Sequence, residues 1–198
     1  TNLNTQKINR NCVFITENKN NYLRKIAQKM KCEIIEHKNY IGGRYSVLSE
    51  VGMLPAELMG LNEKKFKQFN YLINNKNFID NLVNNVEGIL QCTKKGKTNS
   101  IILNYDEDSQ TFFYWYQQLV AESLGKKSKG ILPVVSLMPK DNHSVMQFYL
   151  DGPKNSFYTF FDVLNQKSEK IHNSTLLKSH LYLKNKSVNE IILAQRLA

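Results

Sequence analysis

The chain has 198 residues, 41% of them hydrophobic and 11% aromatic, enough for one full domain or pieces of two and for a sizeable buried core. Its formal net charge of +10 comes without a basic patch: lysines fall as scattered pairs (Lys64-Lys65, Lys94-Lys95, Lys126-Lys127) among many asparagines, which argues against nucleic acid as a partner. No apolar run reaches the length of a membrane span, the first residues are polar rather than a signal peptide, and the three cysteines (Cys12, Cys32, Cys92) show neither CxxC nor metal-ligand spacing. The expectation is a soluble cytoplasmic protein with reduced thiols, no membrane partner and no metal. The lysine and asparagine bias fits AT-rich codon usage, with attraction of an anionic small substrate as the functional alternative.

Along the chain, residues 12–17 form a β-prone run, and a helical pattern follows over residues 21–29. Residues 32–37 read as a second strand. A glycine-containing loop over residues 39–46 leads into a helix at about residues 48–59, and two more helices follow at 63–74 and 78–94. The alternation then resumes, with a strand at 99–105, a helix at 109–124, a strand at 131–137, a short helix at 142–150 and a strand at 156–163. Residues 188–198 carry an amphipathic helix pattern with no stop signal, and the chain opens at Thr1 without an initiator Met. An internal fragment of a longer chain is therefore expected. Strands alternating with helices imply βαβ units and parallel sheets flanked by helices, an α/β class of fold. The helical block at residues 61–95 interrupts that alternation and reads as a link between two α/β units. Ligands in such folds sit at the carboxyl ends of strands, which directs attention to the loops after Glu36, Tyr105 and Leu137.

Three groups of residues carry chemistry. In Tyr40-Ile-Gly42-Gly43-Arg44-Tyr45-Ser46, adjacent glycines permit positive φ and close backbone approach to a ligand. Arg44 beside them suits an anion or a developing oxyanion, although a tight turn with a surface arginine accounts for the same residues. The second group is Gln118 and Glu122, four residues apart on one face of an apolar, aromatic helix that Gly125 stops. The negative helix end and apolar neighbours are expected to raise the pKa of Glu122, as a general base near neutral pH requires; a solvated surface glutamate is the plainer alternative. The third is Asp141-Asn142-His143-Ser144-Val-Met-Gln147, in which a helix N-terminus biases His143 toward the neutral form that can accept or donate a proton. A capping or packing histidine fits equally well. His37 ends a strand beside the Gly-Gly loop as a supporting group, and His172 and His180 fall in a polar segment expected to be exposed. A base, an anion-stabilising arginine and a neutral histidine together suit aldose–ketose isomerisation, which needs no metal and no organic cofactor.

These segments resemble a known family. Gly42-Gly43-Arg44-Tyr45-Ser46-Val-Leu-Ser-Glu-Val-Gly52, Gln118-x-x-x-Glu122-Ser-x-Gly125-Lys126 and Asp141-Asn-His143-Ser-x-x-Gln147 are similar, in order and spacing, to the signatures of the glucose-6-phosphate isomerase family, over about residues 12–163. The resemblance implies SIS-type α/β domains, with residues 1–76 the C-terminal part of a first domain and residues 77–198 a helical connection and the N-terminal part of a second. It implies Glu122 as the base between C1 and C2 of a hexose 6-phosphate, His143 in ring opening, Arg44 stabilising the intermediate, and Gly43 and Gln118 lining the substrate. It also implies a homodimer with shared active sites, the histidine coming from the neighbouring subunit. The family's Ser/Thr-rich phosphate loop and late catalytic lysine match nothing here, so the 198 residues alone are expected to turn over little. A non-catalytic phosphosugar-binding SIS module is the competing reading, against which Glu122 and His143 in their motifs argue.

Overall fold

The computed structural model describes residues 5–163, 168–172 and 176–197. The chain divides into two compact units, Thr1–Val83 and Asn84–Ala198.

In the first unit, helix α1 (Thr5–Asn11), which the sequence pattern did not signal, precedes strand β1 (Val13–Glu17). Helix α2 (Tyr22–Met30) then returns the chain to β2 (Glu33–His37). Asn21 starts α2, its side chain accepting from the Arg24 amide at 2.8 Å, which satisfies one of the donors a helix leaves open. Lys31, left-handed at φ 56°, ends it, and the Cys32 amide donates back to the Ala27 carbonyl at 3.0 Å. The two strands pair in parallel, Val13 with Glu33 through Glu17 with His37. After β2 the chain tightens into a 3-10 turn, Gly43–Leu48, and Ser49 begins α3 (Glu50–Leu58). The helix expected over residues 63–74 is split: α4 covers Glu63–Lys67, and Gln68–Asn74 winds as a 3-10 turn. None of that turn's residues is buried, so no packing offsets the modest helix propensities of its asparagines and aromatics. Helix α5 (Lys76–Lys94) follows.

The second unit is built on three parallel strands, β3 (Asn99–Asn104), β4 (Leu132–Leu137) and β5 (Ser156–Phe161), in the order β4-β3-β5. Residues 100–104 of the central strand are all buried, as expected of a parallel strand covered on both faces. Ile101, Leu103 and Tyr105 face one side, packed with Met138 and with Met146, Tyr149 and Ile192 of α7 (Asn142–Asp151) and α8 (Val188–Leu197). Each such aliphatic side chain removed from water contributes roughly 1.5–3 kcal/mol. The other side carries α6 (Gln110–Leu124): Phe113 meets Phe161 edge-on at 4.7 Å, and the Gln117 amide donates to the Pro133 carbonyl at 2.8 Å. The sheet is thus parallel and covered by helices on both faces, as the alternating pattern implies. No helix among the described residues is long and apolar enough to cross a membrane.

Candidate functional site

The Gly42–Ser46 segment lies just after the carboxyl end of β2, in the first unit. Its turn is closed from within, the Tyr45 amide bonding the Gly42 carbonyl at 2.9 Å and the Ser46 hydroxyl donating to the Gly43 carbonyl at 2.7 Å. Neither glycine adopts the positive φ anticipated for the pair; Gly42 sits at φ −66°. What distinguishes Gly43 is space: a Cβ there would meet nothing within 4 Å, so a ligand can come against the backbone. Arg44 is half-buried, with its guanidinium 6.0 Å from the centre of the Tyr45 ring. A cleft of about 420 Å³ opens beside the turn, lined by Tyr40, Ile41, Gly42, Tyr45 and Glu50 among others.

This turn is bracketed by a pair that is not evident from the sequence. His37, the last residue of β2, meets the carboxylate of Glu50, the first residue of α3, through Nδ1, while its Nε2 faces the Ile41 carbonyl at 3.0 Å. Both ring nitrogens face acceptors, so the imidazolium is favoured. The hydrogen bond to Glu50, then that to Ile41, hold the His37 pKa above its usual value. Glu50 is lowered in turn, first by its own backbone amide at the helix start and then by His37. His37 is thus a supporting residue that fastens both ends of the Arg44 turn. Thirteen positions of separation, with no shared helix or strand, hide the contact from pattern reading.

Gln118 and Glu122 lie on one exposed face of α6, the Gln118 amide donating to Glu122 Oε2 at 3.4 Å. Gly125 ends the helix, and a Cβ on it would come within 2.6 Å of the Ala121 carbonyl. The chain then folds through a tight turn in which Lys126 bridges Lys129 and Lys127, Ser128 and Gly130 take positive φ. His143 stands exposed in the first turn of α7. Asp141 anchors that start, its carboxylate accepting the Leu137 amide at 2.8 Å.

The βαβ topology decides which of these groups one chain can bring together. Because α6 runs back from the carboxyl end of β3 to the start of β4, its last turn lies at the amino ends of the strands. Ala121 and Gly125 accordingly line one cleft with Thr98, just before β3, and Leu132, the first residue of β4. His143 instead follows the carboxyl end of β4. Six strand residues separate the two ends, roughly 20 Å at about 3.3 Å per residue. Within one chain, Glu122 and His143 therefore occupy opposite ends of the sheet. Looking only at carboxyl ends of strands finds Gly43, Arg44 and His143 and misses Glu122. His172 and His180 are exposed, and among the described residues no three His, Cys, Asp or Glu side chains group as a metal site.

Comparison with known proteins adds to this geometry. The model of the phosphoglucose isomerase family matches residues 2–178. A glucose-6-phosphate isomerase of Methanocaldococcus jannaschii is 36% identical over 154 residues, 75% of this chain and 38% of that protein. One of Campylobacter jejuni is 32% identical over 205 residues, 98% of this chain and 49% of that protein. The chain thus spans about half the length, or less, of these curated relatives. A solved structure of a hypothetical protein from Thermus thermophilus has the same fold, with a TM-score of 0.78 at 24% identity over 98% of this chain and 48% of that one.

Proposed function

This chain belongs to the phosphoglucose isomerase family, and from that premise we propose that the protein interconverts glucose 6-phosphate and fructose 6-phosphate in the cytoplasm, in glycolysis and gluconeogenesis. The reaction moves one proton between C1 and C2 through an enediolate. Glu122 takes and returns that proton, Arg44 stabilises the enediolate oxygen, and His143 handles the ring oxygen during opening. Gly43 admits the sugar phosphate against the backbone, and Gln118 orients the Glu122 carboxylate. The observation that carries the reading is the Gln118–Glu122 hydrogen bond on an accessible helix end, since a general base has to be both reachable and held in one orientation. The two units are parts of two SIS-type domains.

The opposite placement of Glu122 and His143 supports the rest. A site that uses both draws Glu122 from one chain and His143 from a second, which makes the active protein a homodimer with shared sites. The test is a coupled isomerase assay on the complete reading frame with Glu122→Gln beside it. The variant is expected to fold and to lose about 10²- to 10⁴-fold in kcat, the usual contribution of a positioned base. Unchanged kcat would remove Glu122 from the mechanism.

A further inference from the structure

Two of the three cysteines fall at the same end of the β1–β2 ribbon in the first unit. The paired register of β1 and β2 begins at Val13 with Glu33, and Cys12 and Cys32 are the residues immediately before it on the two segments of the ribbon. Neighbouring strands run about 4.8 Å apart, inside the roughly 4.4–6.8 Å Cα separation that a disulfide spans. The backbone at Cys32 is held by the bond from its amide to the Ala27 carbonyl, directly after the left-handed Lys31. Helix α1 packs close by, with the Ile8 carbonyl 4.0 Å from Cys32 Sγ. Cys12 is half-buried and Cys32 buried at 9% exposure, so an oxidant in solution meets Cys12 first. Burial pushes the Cys32 thiol up, and the Cys12 thiol adds to that rise.

We propose that Cys12 and Cys32 form a dithiol modification site, which a low-molecular-weight disulfide such as oxidised glutathione converts to an intramolecular disulfide. The Cys12 thiolate attacks one sulfur of the small disulfide, forming a mixed disulfide and releasing one small thiol. The Cys32 thiolate then attacks the Cys12 sulfur and releases the second. Two protein thiols are oxidised, one small disulfide is reduced to two thiols, and the two protons pass to solvent and the leaving thiolates. The bond would clamp the amino ends of β1 and β2, the end of the ribbon opposite the Arg44 turn. It is therefore a property of the scaffold, separate from the proposed isomerase chemistry.

The test is peptide mapping by mass spectrometry of the folded full chain after treatment with oxidised glutathione and alkylation of remaining thiols. The expected product joins the Cys12 and Cys32 peptides within one chain, disappears with dithiothreitol, persists in Cys92→Ser and is absent in Cys12→Ser. Mapping the unsubstituted chain decides the question without relying on the folding of any variant. A link through Cys92, a link between two chains, glutathione remaining on Cys12, or both cysteines still open to alkylation would each overturn the proposal.

Discussion

Gly52 offers the sharpest test of the packing behind the Arg44 turn. It lies inside α3, and a Cβ built on it would sit 2.0 Å from the Val47 carbonyl oxygen, 2.8 Å from its carbon and 3.0 Å from its Cα. The neighbour is backbone of the Gly43–Leu48 turn, so no side chain can rotate away and the turn itself has to move, by roughly 1 Å or more to restore ordinary contact. Overpacking of this kind costs about 1–3 kcal/mol, and a backbone obstacle belongs at the top of that range. Alanine recovers up to about 1 kcal/mol of helix propensity, leaving Gly52→Ala destabilised by roughly 2 kcal/mol. For a chain of this size that lowers Tm by about 4–8 °C. Gly88→Ala is the control: the same chemical change in α5, where a Cβ meets nothing within 4 Å, is expected to raise Tm by about 1–4 °C. The assay is thermal unfolding of both variants followed by circular dichroism. A Gly52→Ala protein as stable as the parent, alongside a stabilised Gly88→Ala, would show that the close approach of α3 to the turn does not exist. Because the turn carries Arg44, kcat/KM of the complete reading frame is expected to fall with Gly52→Ala and stay unchanged with Gly88→Ala.

The His37–Glu50 pair predicts a stability profile with two flanks. His37 is raised, so its contribution is complete below its unfolded value near 6.5 and is lost as pH rises through the folded pKa. Glu50 is lowered, so its contribution is complete above about 4.5 and is lost as pH falls through its folded pKa. Tm measured against pH should therefore show a plateau between about 4.5 and 6.5 from this pair, and Glu50→Gln should flatten the alkaline flank; an identical profile in the variant would count against the pair. The proposed shared site predicts complementation in the complete reading frame. Mixing inactive Glu122→Gln and His143→Ala proteins through a cycle of dissociation and reassociation gives heterodimers as about half of all dimers, each with one intact site, so about a quarter of parent activity returns. No recovery, with mixed dimers verified by native mass spectrometry, would mean that each site is built from one chain. In the second unit, Arg196 Nη1 holds Asp162 Oδ2 at 2.8 Å with both side chains mostly buried. Asp162→Ala is expected to release α8, seen as faster hydrogen exchange in residues 188–197, and unchanged exchange there would show that the ion pair does not anchor it.

Much of the fold is legible in the chain because its signals are local. Asn21, Ser49 and Gly125 mark helix ends through hydrogen bonds made within a few residues, and the Ile-Ile-Leu run of residues 101–103 marks a strand. Gln118 and Glu122 come together for the same reason, since four positions along a helix is one turn. The local signals fail where tertiary contact is needed to decide: residues 68–74 have a helical pattern yet, with none of them buried, wind as a 3-10 turn. Gly42 and Gly43 are legible as a special pair, but their use is open space rather than unusual dihedrals.

The sequence alone therefore determined the α/β class, the order of the strands and of most helices between them, the three motifs and the family they resemble. Only the tertiary structure decided that His37 meets Glu50 and that β1 and β2 pair in parallel from Val13 and Glu33 onward, which brings Cys12 and Cys32 to one end of the ribbon. It also put Glu122 and His143 at opposite ends of one sheet. Periodicity and capping act over a few residues and survive in any short window of the chain. Strand register and the direction in which a crossover helix returns are set by long-range pairing and burial, which a window of residues does not contain.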